Sequence, residues 1–272
     1  MFGIEGNTRE TPSDAQTHQV VACELLTGQT INKPTPTNDE PPVQRASLRM
    51  QTKRSFLMMS ELNRKRMELA ASGKDMVIGW EMTPAEALAF FQSLRKTVVT
   101  FFGYSVAYEN EKAMLKIAED VLARYSPETF LINIGATYAG AGGIYPIAKG
   151  RGYKTTGIVS SLAIQYLDDI SNDVDHVCFI RDTQWGGKLP GANTLSPTSQ
   201  AMVACSDILV GIGGGKITRD EMLAGREQGK DVYFHPAEIS HAYWIQRAQK
   251  LHLPPPVSFL GAAHEAFGSK QA

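Results

Sequence analysis

Cysteine is scarce: Cys23, Cys178 and Cys205 are the only three in 272 residues. An odd, widely spaced set builds neither a disulfide framework nor a zinc knuckle, so reduced and mostly buried thiols are expected, with no metal site. An excess of charge of one sign is also missing. The formal net charge is −1, which gives no global basic field to hold nucleic acid or an anionic membrane. Nucleic acid is therefore disfavoured as a partner. No apolar run approaches the roughly 18 residues that a membrane helix needs. The N-terminus shows no basic segment followed by an apolar one. A cytoplasmic protein without a membrane partner is expected.

What is present is an ordinary globular composition, 43% hydrophobic and 20% charged, unevenly distributed. Residues 1–54 include "TGQTINKPTPTNDEPPVQRAS", rich in Pro, Thr, Asn and Gln without a sustained period. Such a stretch buries too little apolar area to offset its ordering entropy, and a flexible tail is predicted, with "QVVACELL" as a strand or docking element. Residues 55–95 read as a helical extension. "SFLMMSELNRKRMELAAS" carries an imperfect apolar stripe, and "TPAEALAFFQSLRK" opens with Thr83 as N-cap, Pro84 at N1 and Glu86 closing a capping box. From residue 96 to 272 the pattern becomes strand, helix, strand, helix. The strands are "TVVTFFG", "TFLINIG", "KTTGIVS", "HVCFIR", "DILVGI" and "DVYFH". That alternation predicts an α/β domain with a doubly wound, mainly parallel sheet and helices on both faces. Ligands in such sheets meet the loops at the C-terminal strand ends.

Three of those loops are rich in small residues. In the first, "FFGYSVAYENE", Gly103 ends a strand and Tyr104, Ser105 and Tyr108 offer hydroxyl and amide donors. A glycine-terminated turn with aromatic packing is the alternative. In the second, "NIGATYAGAGGIYPIAKGRG", Gly135, Gly140, Gly142 and Gly143, with Thr137 among them, leave backbone N–H groups bare for an anion at the next helix. The spacing is not G-x-G-x-x-G, so a standard dinucleotide site is disfavoured. Lys149 and Arg151 suit the far end of that helix. In the third, "DILVGIGGGKITRDEM", Gly213, Gly214, Gly215 and Lys216 precede Thr218, Asp220 and Glu221. The Walker A arrangement is absent. Two readings stand side by side. Thr218 and Glu221 form a capping box that starts the helix. Alternatively Glu221, with Asp220, is a carboxylate placed to polarise a sugar hydroxyl or a water.

Other candidates are weaker. His235 ends a strand as a conceivable general base or as a helix-entry histidine bonded to backbone. His176 and Cys178 share a strand face without a third metal ligand nearby. Trp185, in the long loop "DTQWGGKLPGANTL", is either a lid that stacks on a base or a plug that pins the loop.

Taken together, "FFGYS", "INIGATYAGAGGIYPIAKGRGYKTTGIV" and "MVACSDILVGIGGGKITRDEM" resemble the Rossmann-like superfamily that joins DNA-processing protein A and the lonely-guy phosphoribohydrolases, formerly grouped as lysine decarboxylase-like. The similarity runs from about Thr97 to His235. It implies a Rossmann-like nucleotide-binding domain and a homo-oligomer, dimer or higher. The ligand it implies is a phosphorylated nucleoside or derivative, with no cofactor required. It also implies that Glu221 matches the glutamate of the family motif Pro-Gly-Gly-x-Gly-Thr-x-x-Glu. Two departures bear on activity. Ile212 replaces the motif proline, and Thr198 and Ser199 stand where the hydrolases carry an Arg-Lys pair. Arg181, Lys188 or Arg219 would have to substitute. Three functions follow as expectations: binding of a nucleotide-type small molecule, or alternatively cleavage or transfer of an N-glycosidic bond in a nucleoside monophosphate, or a single-stranded DNA or assembly module.

Overall fold

The computed structural model describes residues 78–268. The expected tail over 1–54 and the expected helix from Ser55 to Gly73 lie outside the described residues. Seven strands form one sheet: β1 (Ile78–Met82), β2 (Thr97–Gly103), β3 (Phe130–Ile134), β4 (Lys154–Ser160), β5 (His176–Ile180), β6 (Ile208–Ile212) and β7 (Asp231–His235). Their order across the sheet is β1-β5-β4-β3-β2-β6-β7. Every pair is parallel. The sheet is thus the doubly wound, Rossmann-like one that the alternation predicts. The chain steps from β2 through β5 in one direction, then crosses back to place β6 on the other side of β2. The switch point lies above β2 and β6.

Strand β1 is absent from the sequence reading. "IGWEM" is short, interrupted by Gly79, and runs straight into the Thr83 cap, so its pattern is hidden. It pairs with β5, with Trp80 opposite Cys178. The described part of the 55–95 segment is therefore a strand followed by a helix, α1 (Pro84–Ser93). The capping box at the start of α1 is as read from the sequence: the Thr83 side chain accepts from the Glu86 N–H, and Glu86 accepts from the Thr83 N–H.

The remaining helices are α2 (Glu111–Leu122), α3 (Ile144–Gly150), α4 (Pro197–Cys205), α5 (Lys216–Glu227), α6 (His241–Lys250) and α7 (Ala262–Phe267). "SLAIQYLDDI", read as an α-helix, is instead 3-10 turns over Ser161–Asp169 with a kink at Tyr166. The period of two in the strands divides the core. Val99, Phe101, Ile132, Ile134, Val177, Phe179 and Val210 face α2 and α3. Val98, Phe102, Leu131, Ile158, Cys178, Ile180 and Leu209 face α1, α4, α5 and α7. A polar ladder crosses the second face, where Asn133 donates to Thr100 at 3.3 Å and Thr156 donates to Asn133 at 3.1 Å. All three are fully buried on neighbouring strands, so their mutual hydrogen bonds offset their desolvation. No helix of the described residues is long and apolar enough to cross a membrane.

Candidate functional site

The glycines of the three loops fall into two groups when the space for a Cβ is considered. At Gly103 an added Cβ would lie 2.0 Å from the Tyr108 hydroxyl and 3.0 Å from the Ile212 carbonyl. At Gly140 it would lie 2.0 Å from the Tyr104 carbonyl, and at Gly142 1.8 Å from the Thr137 carbonyl. At Gly213 it would lie 2.7 Å from the Ala237 carbonyl, and at Gly214 2.5 Å from the Thr218 side chain. At these five positions the chain packs on itself too closely for a Cβ. Gly143 makes ordinary contacts at 3.5 Å with Glu111 and Leu115. Gly135 and Gly215 differ: nothing lies within 4 Å of a Cβ at either. They border open space at the strand ends.

The space above the switch point is filled by the protein's own tyrosines. The Tyr104 hydroxyl accepts from the Gly261 N–H at 2.9 Å and donates to the Ala237 carbonyl at 3.2 Å. The Tyr108 hydroxyl accepts from the Tyr104 N–H at 3.1 Å and donates to the Ile212 carbonyl at 2.8 Å. Both rings are buried, and burial raises both phenol pKa values. Both hydroxyls are thus engaged within the protein, that of Tyr104 with Ala237 and Gly261 of the C-terminal segment and that of Tyr108 with Tyr104 and Ile212. Ser105 is exposed. Thr137 is half-buried, and its backbone bridges Ile170. Between Gly135 and Thr137, Ala136 holds a φ of +69°. Its N–H donates to Tyr145 at 3.1 Å and its carbonyl accepts from Ser171 at 2.9 Å, so the turn is over-determined.

The start of α5 differs from the capping-box reading. The helix begins at Lys216 with Gly215 as N-cap, and no side chain caps it. Thr218 is therefore inside the first turn, and its hydroxyl donates to the Gly103 carbonyl at 3.1 Å. The capping box is not formed. Its displacement follows from Gly213 and Gly214, whose φ values of +60° and +122° turn the chain into the helix three residues early, at the Gly215 N-cap. Lys216 is exposed at the first helical position. Asp220 is buried and paired with Arg219 at 2.8 Å.

Glu221 points into the protein. It is 5% exposed, and Ser199 donates to its Oε1 at 2.6 Å. The Gly187 N–H in turn donates to the Ser199 Oγ at 2.6 Å. Burial, reinforced by the Asp220 charge and opposed by the Ser199 hydrogen bond, pushes the Glu221 pKa up to about 8. Ser199 is one of the two residues at the family's Arg-Lys positions. A neutral hydroxyl thus meets Glu221 where the resemblance implies a cation. The three basic residues that would have to substitute are engaged elsewhere. Arg181 pairs with Glu86 at 3.0 Å, Lys188 donates to Asn193 at 2.5 Å, and Arg219 pairs with Asp220.

The 182–196 loop runs along the strand-end edge from β5 to α5. Gly186 and Gly187 lie against Ile217 and Ser199. At the loop's start, the Asp182 carboxylate accepts from the Thr198 N–H at 2.8 Å and so caps α4, while the hydroxyl of Ser196, at the N-cap position, makes no such bond. Trp185 is half-buried with its ring 6.0 Å from Tyr166, and its Nε1 is buried without a partner among the described residues. Sequence reading did not single out Asp169. Its carbonyl accepts from the Tyr138 N–H at 3.0 Å, which sets it against the second glycine loop.

The weaker candidates have structural positions. His235 uses its carbonyl to accept from the Gly213 N–H at 2.8 Å, and burial, with Arg124, lowers its imidazole pKa. His176 packs tilted on Trp80 and edge-on to Phe90, and Cys178 is buried in the core. No cluster of three His, Cys, Asp or Glu side chains able to hold a metal occurs among the described residues. Lys149 pairs with Asp175, and Arg151 donates to the Glu119 carbonyl at 3.3 Å. An open depression of about 640 Å³ lies at the opposite edge, lined by Arg95, Lys96, Thr97, Glu128, Thr129 and Asp207. Its Lys96 ammonium donates to the Pro127 and Glu128 carbonyls, and its Asp207 accepts from the Val98 N–H.

No family model and no curated protein matches the sequence. Solved structures do. The Moco carrier protein of Chlamydomonas reinhardtii is 22% identical, with a TM-score of 0.39, over 52% of this chain and 76% of its own. The molybdenum cofactor binding protein of Rippkaea orientalis is 20% identical, with a TM-score of 0.39, over 52% and 77%. DNA processing protein A of Streptococcus pneumoniae is 15% identical, with a TM-score of 0.38, over 64% and 62%. These are likenesses of fold, and the chain is a Rossmann-like α/β protein.

Proposed function

We propose that this protein binds a nucleotide-type, phosphorylated small molecule at the C-terminal strand ends, with the phosphate at the start of α5. The observation that carries this reading is the open N-terminus of α5. The other helices of eight or more residues among those described each have a side-chain oxygen on a first-turn N–H: Thr83 for α1, Asn110 for α2, Asp182 for α4 and Ser240 for α6. Helix α5 has none, although it has twelve residues. Its bare first-turn N–H groups and dipole favour an anion, and Lys216 adds a cation beside them. Gly215 leaves the approach clear.

Titration calorimetry of the full chain with mono-, di- and cyclic nucleotides, nucleotide sugars and the molybdenum cofactor tests this. At least one is expected to bind stoichiometrically, and Gly215→Val, whose side chain would fill the approach, is expected to weaken it about tenfold or more at unchanged thermal midpoint. No heat from any of them would sink the reading.

A second reading rests on Glu221. A buried carboxyl with a pKa near 8 is protonated at neutral pH, which suits a general acid for cleaving or transferring an N-glycosidic bond. It predicts free base, detected by chromatography, from a nucleoside monophosphate incubated with the protein. The release should be lost in Glu221→Gln.

A further inference from the structure

We propose that Asp169 reads the heterocycle of the ligand, and that this heterocycle presents a paired N–H edge of the guanine type. The inference rests on the nucleotide reading above and adds the base.

Four acidic side chains are buried among the described residues: Asp169, Asp182, Asp220 and Glu221. Asp182 accepts from two backbone N–H groups, Asp220 pairs with Arg219, and Glu221 accepts from Ser199. Asp169 is 6% exposed, and its Oδ2 is buried with no hydrogen-bond partner among the described residues. Leaving a buried carboxylate oxygen unpaired is costly, so a group that supplies donors there gains more than an ordinary surface contact. The charged neighbour that acts on Asp169 is Asp168, another acid, and burial and this neighbour both raise its pKa. The place therefore repels phosphate and favours uncharged N–H donors.

Backbone bonds place Asp169 beside the second glycine loop at the strand ends. Tyr138 and Thr137, in the loop that follows Gly135, bond to Asp169 and Ile170 respectively. Tyr166, three residues earlier at the kink, faces Trp185 at 6.0 Å. Trp185 brings a flat ring and a buried indole N–H that has no acceptor among the described residues. A two-oxygen acceptor, one donor and an aromatic surface match a base edge that runs carbonyl, ring N–H, amino. A carboxylate takes the ring N–H and the amino group as a bidentate pair. Adenine offers no such pair, and hypoxanthine lacks the amino group. The phosphate then lies at the start of α5 and the base toward Asp169, under the 182–196 loop.

Calorimetry with guanosine, inosine and adenosine 5′-monophosphates, which share ribose and phosphate, tests the base alone. The guanine nucleotide is expected to bind about tenfold or more tightly than either of the others. In Asp169→Asn the preference should shrink to about threefold or less, while the thermal midpoint of the ligand-free protein holds or rises, because an unpaired charge has been removed. Equal binding of the three nucleotides to the unaltered protein would overturn the assignment to Asp169 and leave the nucleotide reading standing. A preference that survives in Asp169→Asn would overturn it as well, as would a fall in the midpoint of that variant. Binding of none of the three would overturn the assignment to Asp169, while the nucleotide reading falls only if the wider panel also gives no heat.

Discussion

Replacing Gly140 by alanine is expected to lower the free energy of unfolding by about 3 kcal/mol or more, measured in urea. Two effects add. The residue has a φ of +60°, where an L side chain is strained. Its Cβ would also lie 2.0 Å from the Tyr104 carbonyl and 2.7 Å from that of Val106, and both are backbone atoms that cannot swing away. The Ala141 N–H donates to the same Tyr104 carbonyl at 2.9 Å, so moving the loop breaks a buried bond too. Gly135→Ala, five residues earlier in the same loop, is the contrast. Nothing lies near its Cβ, and a change within about 1 kcal/mol is expected. Equal losses for the two would mean that the division of the glycines into packed and open is wrong.

The second large effect is in pH. Glu221 has its folded pKa raised from 4.5 to about 8. Below pH 4.5 the carboxyl is neutral in both the folded and unfolded states, and its full contribution to stability is present. Between 4.5 and 8 the unfolded chain ionises while the folded one stays protonated, so stability falls by up to about 1.4 kcal/mol per pH unit. Above pH 8 both ionise and the fall stops. Glu221→Gln cannot ionise. Its stability relative to the unaltered protein should therefore rise by the order of a few kcal/mol between pH 5 and pH 8. Urea unfolding of both proteins at the two pH values measures this. Parallel pH profiles would show that Glu221 is charged in the fold, and Ser199 alone would then be too weak a partner to explain it.

These two residues show where sequence reasoning reaches and where it stops. Six of the seven strands are legible from their β-branched and aromatic runs, β1 being the exception, and α1 because its whole cap lies within four residues, Thr83 to Glu86. The glycine loops were located correctly, but a glycine is the same letter whether its missing side chain faces a ligand or a carbonyl three loops away. Only contacts such as Gly142 with Thr137, or Gly213 with Ala237, separate the cases. Thr218-x-x-Glu221 matched a capping box by spacing. The positive φ values of Gly213 and Gly214 start the helix earlier, which turns Thr218 toward Gly103 and Glu221 toward Ser199. Asp169 was hidden for a related reason. In "YLDDI" nothing local tells the exposed Asp168 from the buried Asp169, because the burial comes from the bridge between Thr137 and Ile170, far apart in sequence.

The central claim is that the open start of α5 holds the phosphate of a small ligand. Backbone amide shifts of the isotope-labelled protein, followed through a titration with guanosine 5′-monophosphate, address it residue by residue. The largest shifts are expected at Gly215, Lys216, Ile217 and Thr218, with Gly135 and the Trp185 indole N–H moving in step. Shifts confined to the opposite edge, around Lys96 and Glu128, or none at all, would contradict the account.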